Sequence, residues 1–171
     1  MLRRVDEAFP WLPREIREDC AVIWRVLEAL SARDLESGLA LFDDDCEYRS
    51  AFAPAEGGAA YAGHGGLRKY FNSVFELFDA WHVTPTNFVA SDDRILVLST
   101  FKFSGHGSHV TMEQPIGTIW IVRDGLITRG FGFLSVDDAL DSMAAQCVRD
   151  RAEIDALVDE AERVRISHQR A

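Results

Sequence analysis

Five histidines and three cysteines are the side chains from which this sequence could build chemistry, and their spacing limits what that chemistry can be. Cys20, Cys46 and Cys147 are odd in number and far apart, with no C-x-x-C and no Cys/His cluster. Neither a disulfide framework nor a metal site is expected from them, and buried thiols are the ordinary outcome. An imidazole titrates near neutral pH and is the usual general base. His82 follows Trp81 at the start of a strand, where an edge or surface histidine is common, and His106 sits between Gly105 and Gly107 in a hairpin, where solvent exposure is common. His109 shares that hairpin, His64 opens a helix within Gly63-His64-Gly65-Gly66, and His168 lies in the tail. Tyr48 points inward by strand alternation, either as a satisfied core phenol or as a ligand contact. Trp24, Tyr70, Phe71, Phe75, Trp81 and Trp120 could line a pocket for a planar apolar ligand, although rings at helical spacing also make ordinary core.

The elements that must position these groups centre on Arg94–Leu134. Three runs rich in Val, Ile, Leu, Phe and Thr are separated by turn signals at Gly105, Gly107 and Gly125, which predicts an antiparallel meander. Thr118 and Trp120 fall on one face of their strand, Ile119 and Ile121 on the other, so both faces of the sheet have apolar side chains to bury. Gly130 and Gly132 alternate with Arg129, Phe131 and Phe133. Inward glycines would leave volume for a ligand and the phenylalanines for a subunit interface, or they would serve only for close packing or sheet bending.

Upstream, Ile16, Cys20, Ile23, Leu27 and Leu30 recur at steps of four and three and predict a helix over Arg14–Arg33, flanked by Trp24 and Val26. Asp34 caps a short second helix whose face carries Leu35, Leu39 and Phe42, and which Asp43-Asp44-Asp45 closes. Cys46–Phe52 alternates as a strand, Ala53–Gly66 reads as a loop, and a helix from His64 carries Leu67, Tyr70, Phe71, Val74, Phe75, Phe78 and Trp81. His82–Ala90 is a strand that Pro85 confines to an edge or a bulge. Ser135 with Asp138 starts a helical tail, as one long helix or two in series. The organisation expected is an N-terminal arm (1–13), a main domain (14–146) and a C-terminal helical extension (147–171). The arm's Phe9, Trp11 and Leu12 should pack on the body or on a partner subunit.

A chain of 171 residues with 47% hydrophobic content can form a single core. Its formal charge of −10, with only 18 Lys and Arg, argues against nucleic acid and against an anionic membrane surface. No apolar run approaches the ~18 residues of a membrane span, and Met1–Glu7 lacks the apolar core of a signal peptide, so a cytoplasmic protein is expected.

Three stretches in order, Ala32–Tyr48, Tyr61–Phe71 and Val122–Arg129, resemble the NTF2-like superfamily and in particular its SnoaL-like branch, over roughly Cys20–Ala144. The resemblance implies an α+β cone, a cystatin-like α+β barrel in which a curved antiparallel sheet wraps around N-terminal helices. It also implies a pocket between helices and sheet, and a homodimer through the outer sheet face. By that comparison Leu27, Ser50, Thr118 and Trp120 join Trp24, Tyr70, Phe71, Phe75 and Trp81 as ligand-pocket residues. The family's proton-shuffling isomerases need a carboxylate base, a tyrosine and a protonated acid, where this chain aligns Ser50, Val26 and Thr118. The cyclases resemble carboxylate-base enzymes, and no inward Asp or Glu is expected here. The epoxide hydrolases need two aspartates bridged by an arginine, and Arg129 is expected to point outward. Scytalone dehydratase is the nearer likeness, with Tyr48 in the site tyrosine's strand and His82 and His106 in the regions of its site histidines. The expectation is therefore a protein for a small hydrophobic, possibly polycyclic molecule, without metal or cofactor. Cofactor-independent lyase or isomerase chemistry by Tyr48 with His82 or His106 stands beside a non-catalytic ligand-binding or dimerisation domain. The catalytic reading requires an imidazole in the pocket within ~3 Å, or one water, of the tyrosine oxygen.

Overall fold

The computed structural model describes residues 5–52, 60–108, 110–147 and 149–170. The expectations placed on His109, on loop residues 53–59 and on the first four residues of the arm fall outside them. Among the described residues, six strands form one sheet: β1 (Phe42–Arg49), β2 (Tyr61–Ala62), β3 (Phe78–Ser91), β4 (Arg94–Gly105), β5 (Met112–Arg123) and β6 (Leu126–Phe133), in the spatial order β2-β1-β6-β5-β4-β3. The meander β3–β6 is antiparallel throughout, as the alternation predicts. The sheet as a whole is mixed, because β1 runs parallel to β6, pairing Phe42 with Ile127 and Tyr48 with Gly130. Asp124 and Gly125, at φ 52° and 77°, make the two-residue turn between β5 and β6 that demands positive φ at both positions.

The helices follow the apolar periodicity. In α2 (Arg17–Ser31), preceded by a 3-10 turn at Arg14–Ile16, Cys20, Ile23, Val26, Leu27 and Leu30 are buried. The short α3 (Leu35–Leu39) begins where the Asp34 side chain accepts from the Ser37 N–H at 3.1 Å. Phe42 and Asp43–Asp45 belong to β1 and not to the end of that helix, because pairing with β6 outweighs the local helical pattern. Residues Tyr61–Ala62, expected in a loop, pair with β1 as the short β2. The helix α4 spans Gly63–Leu77. Phe78 and Trp81, expected on its face, lie in β3, where they pair with Gly105 and Phe103. A run of rings spaced four and three apart fits the helix period, and Trp81 also alternates with Val83 as strand residues do. The Arg33 guanidinium fixes the switch: it donates to the Phe75 carbonyl at 2.9 Å and the Asp79 carbonyl at 3.0 Å, and also to the Phe78 carbonyl, as a cation suited to a helix C-terminus. Pro85 sits on the edge strand beside a bulge between Pro85 and Asn87, so it interrupts no central ladder.

Two layers cover the sheet. The inner face packs Val83, Phe88, Val97, Phe101, Trp120 and Ile127 against α2 and α4. The arm, including α1 (Val5–Ala8), joins this cluster: Phe9 is buried edge-to-face against Trp24 at 5.1 Å and Phe88 at 4.9 Å. The outer face packs Val89, Leu96 and Ile119 against α5 (Val136–Gln146), with Ile154 of α6 (Arg151–Gln169) in the same cluster. Phe131 and Phe133, which inward glycines would leave for a subunit interface, are partly buried against this cluster. The tail is two helices in series. Ser135 accepts from the Asp138 N–H at 3.3 Å, and a capping box, Asp150 with Glu153, starts α6. Among the described residues no helix is long and apolar enough to cross a membrane.

Two outcomes follow from this packing. A Cβ at Gly117 would collide with the Ala139 methyl of α5, so Gly117→Ala should destabilise the fold by about 1–3 kcal/mol in urea unfolding, and Ala139→Gly in the same chain should recover part of the loss. Burial, the first cause, pushes the Cys20 thiol up from 9.0 to about 12, so the folded chain holds the proton that the unfolded chain releases. That contribution to stability is intact below pH 9.0 and is lost as pH rises toward about 12. The thiol should therefore resist a disulfide-exchange reagent at about pH 8 until urea unfolds the chain globally, which the rate of reagent release measures.

Candidate functional site

The narrow interior of the sheet is organised by Trp120. Gly130 lies beside it across the β5–β6 ladder, and a Cβ there would stand 2.7 Å from the Trp120 ring and 2.8 Å from the Tyr48 ring. The inward glycine thus admits two aromatic rings, and the volume it leaves is occupied by the protein. Tyr48 stacks on Trp120, with centroids 6.0 Å apart and planes at 25°, and also meets Tyr70 and Phe71 of α4 at 5.3 and 5.9 Å. The Trp120 indole N–H donates to the Thr118 hydroxyl at 2.7 Å, satisfying a buried donor on the same strand face. Gly132 is filled likewise, since a Cβ there would meet the Ala51 backbone nitrogen at 2.9 Å and the Tyr48 hydroxyl oxygen at 3.2 Å.

What remains is a cavity of about 50 Å³. Leu27 and Leu30 of α2, Tyr70 and Phe71 of α4, and Tyr48, Trp81, Val83, Phe101, Ile116, Thr118 and Trp120 of the sheet wall it, with Ala51, Phe52, Phe133 and Leu134 at its border. No Asp, Glu, His, Lys or Arg is among the described residues that line it. Nor do the described residues contain three His, Cys, Asp or Glu side chains placed to hold a metal ion.

Of the residues expected to line a pocket, Leu27, Tyr48, Tyr70, Phe71, Trp81, Thr118 and Trp120 do so. Trp24 instead packs on Phe9 of the arm. Phe75 lies on the flank of α4 with the Arg33 guanidinium 5.3 Å over its ring. Ser50 is 2% exposed, and its hydroxyl accepts from the Phe52 N–H at 3.0 Å, which shapes the turn after β1. The described histidines lie elsewhere. His82 pairs with Lys102 on the face opposite Trp81 and Val83, is exposed, and borders a groove beside Arg25, Glu28 and Asp34. His106 is exposed in the β4–β5 hairpin, where its Nδ1 meets the Asp79 carboxylate at 2.9 Å. The Gly107 N–H and His106 hold that carboxyl below the usual carboxylate range. His64 meets the Phe42 carbonyl at 2.9 Å, and His168 lies by Trp11. Neither His82 nor His106 borders the cavity that contains Tyr48.

Sequence reasoning missed Leu30, Ala51, Phe52, Val83, Phe101, Ile116 and Leu134, and Phe133, expected on the opposite face, also borders the cavity. Val83, Phe101 and Ile116 share the inward alternation of Trp81, Phe103 and Thr118, a signal that was present; Phe52 and Leu134 follow strand ends, where alternation says nothing.

Such an arrangement can enclose the edge of an aromatic or alicyclic ring and orient it by ring-to-ring contact. Among the described lining residues there is no Asp, Glu or His to take a carbon-bound proton at neutral pH.

The SnoaL-like domain family model matches residues 23–130. Comparison with curated proteins gives no match. Among solved structures, an NTF2-like protein of unknown function from Burkholderia pseudomallei K96243 superposes with a TM-score of 0.61 at 18% identity, over 72% of this chain and 95% of that one. TerC, co-crystallised with polyporic acid, gives 0.60 at 21% identity over 71% and 94%. A protein of Catenulispora acidiphila DSM 44928 with a ketosteroid isomerase-like fold, in complex with trimethylamine, gives 0.59 at 18% over 77% and 95%. At these identities the likeness is one of fold.

The Trp120–Thr118 bond gives a direct test of how the interior is held. Thr118→Val keeps the shape but leaves a buried indole N–H without its acceptor, so it should cost about 1–3 kcal/mol in urea unfolding followed by tryptophan emission.

Proposed function

The chain belongs to the SnoaL-like domain family, and on that footing we propose that its cone binds a small, flat, apolar molecule and holds it without acid–base chemistry. The observation that carries this reading is the wall itself: aromatic and aliphatic side chains, with Thr118 and the two tyrosines as its hydroxyl groups and no ionised group among the described lining residues. At about 50 Å³ the cavity is smaller than the ~150 Å³ engineered cavity that takes benzene, so it receives only the leading edge of a ring. The remainder of the ligand lies at the mouth, between Phe52, Phe133 and Leu134, whose rings and methyls turn to meet it. A polycyclic ligand requires that movement.

The enzyme reading, Tyr48 acting with His82 or His106 as a lyase or isomerase, draws no support from the geometry. Proton transfer needs both groups within reach of one substrate, and the two imidazoles are exposed outside the cavity that Tyr48 borders. Membership of a family that includes enzymes does not supply a base to the described lining, because chemistry belongs to a site and not to a fold.

Titration of the full chain with 2-naphthol, read through tryptophan emission and compared with Trp120→Phe, tests the proposal. Saturable quenching that depends on Trp120 is expected, and Ile116→Phe, checked for its fold by circular dichroism, should weaken it by about tenfold or more by filling the interior. Affinity should be flat between about pH 5 and pH 8, since no described lining group titrates there. Absence of saturation, or an inflection in that range removed by His82→Gln or His106→Gln, would overturn the reading.

A further inference from the structure

Arg94 of β4, Arg123 of β5 and Arg129 of β6 line one cavity of about 290 Å³. Ile121, which alternates with the inward Trp120 along β5, also lines it and places it on the outer side of the sheet. A bulge builds this site. Arg129 pairs with Ile121 but Ile127 pairs with Val122, so Thr128 is an extra residue on β6. Thr128 and Arg129 consequently reach the same cavity, where regular alternation would send them to opposite faces. The Thr128 hydroxyl donates to the Ile121 carbonyl at 3.3 Å, which ties the bulge down.

The cations outnumber the acids that face them. The Arg94 side chain is 22% exposed, and its Nε donates to the Gln146 carboxamide oxygen of α5 at 3.2 Å while its Nη1 donates to Asp93. The other oxygen of Asp93 accepts from Arg123 Nη2 at 3.1 Å, so one carboxylate serves two guanidiniums. Arg129 Nε stands 3.8 Å from the Glu47 carboxylate, beyond hydrogen-bond reach. The Arg123 and Arg129 side chains are 65% and 58% exposed, so their remaining N–H groups are open to a ligand. Asp45 and Asp93 are the acids among the described lining residues, against three arginines, in a chain whose formal charge is −10. Guanidiniums rooted on three neighbouring strands converge from three sides. That matches the acceptors of a tetrahedral oxyanion, whereas a planar carboxylate is satisfied by one or two such forks.

We propose that this cavity binds a phosphate group, free or as the monoester of a small molecule. Arg94, oriented by Asp93 and Gln146, supplies a fixed charge, and Arg123 and Arg129 donate their unbonded N–H groups to the phosphate oxygens. Asp45 opposes the anion and weakens its binding. The site lies on the other side of the sheet from the cone interior and does not depend on what the cone binds.

Nuclear magnetic resonance of the arginine Nε–H groups in the ¹⁵N-labelled full chain provides the test, at about pH 7, where a phosphate monoester is mostly dianionic. The chain is titrated at constant ionic strength with inorganic phosphate, glycerol phosphate and acetate. Both phosphates should shift Arg123 and Arg129 saturably, and acetate should not. Tighter binding of glycerol phosphate assigns the site to monoesters, and equal binding assigns it to the free ion. Arg129→Gln should weaken phosphate about threefold or more, the scale of one exposed ionic contact, and Asp45→Asn should strengthen it by a similar factor. Arg163→Gln, on α6 and outside the cavity, should leave it unchanged. Absence of saturation, an equal response to acetate, or affinity unmoved by Arg129→Gln and Asp45→Asn would overturn the proposal.

Discussion

Trp120 can lie inside the cone because residue 130, its neighbour on the next strand, has no side chain. A Cβ there would press into both the Trp120 and Tyr48 rings, so one hydrogen atom in place of a methyl decides whether the two can stack. With both rings in, Thr118 receives the indole proton. Leu27, Leu30 and Phe71 then close over them from the two inner helices. The size, shape and apolar character of the interior all descend from that contact.

The sheet is covered on both faces by its own chain. α2 and α4 fill the inside, and α5 with Ile154 of α6 buries Leu96 and Ile119 on the outside. Close approach of the outer layer again depends on a glycine, Gly117, against which Ala139 is seated. Salt bridges decorate these contacts without directing them. Arg151 gathers Asp137, Asp141 and Asp155 at the start of α6, but exposed pairs of this kind contribute little each. The extensions have a more specific effect. The arm plugs the side of the inner cluster through Phe9, and with α6 it shelters the free edge of β3, which would otherwise present unpaired backbone to other chains.

Family membership therefore constrains the architecture more than the chemistry. A SnoaL-like cone offers a sheltered concave wall, and what happens there depends on which inward positions carry acids and bases. Here the described positions that border the cavity carry rings, methyls and hydroxyls, while the described histidines and carboxylates lie outside it. The described wall offers area and shape rather than charge, around a cavity of about 50 Å³.

Alternation and helical spacing were enough to read which side chains share a face. Ile23, Leu27 and Leu30 on α2, Thr118 and Trp120 on β5, the edge position of Pro85 and the Ser135 cap are local facts, written in steps of two or of three and four. Local pattern could not separate helix from strand at Phe78 and Trp81, where both periods fit the same rings. It also could not show that β1 joins β6 in parallel, because pairing partners are chosen across the chain. Volume was beyond it altogether. Whether an inward glycine leaves space or admits a neighbour's ring depends on Tyr48 and Trp120, residues 82 and 10 positions from Gly130, meeting at one point. The cone follows from the family likeness and its greasy lining from local spacing. How little room is left inside, and that neither His82 nor His106 borders it, had to await the folded chain, since burial depth is a sum over distant contacts that no local period encodes.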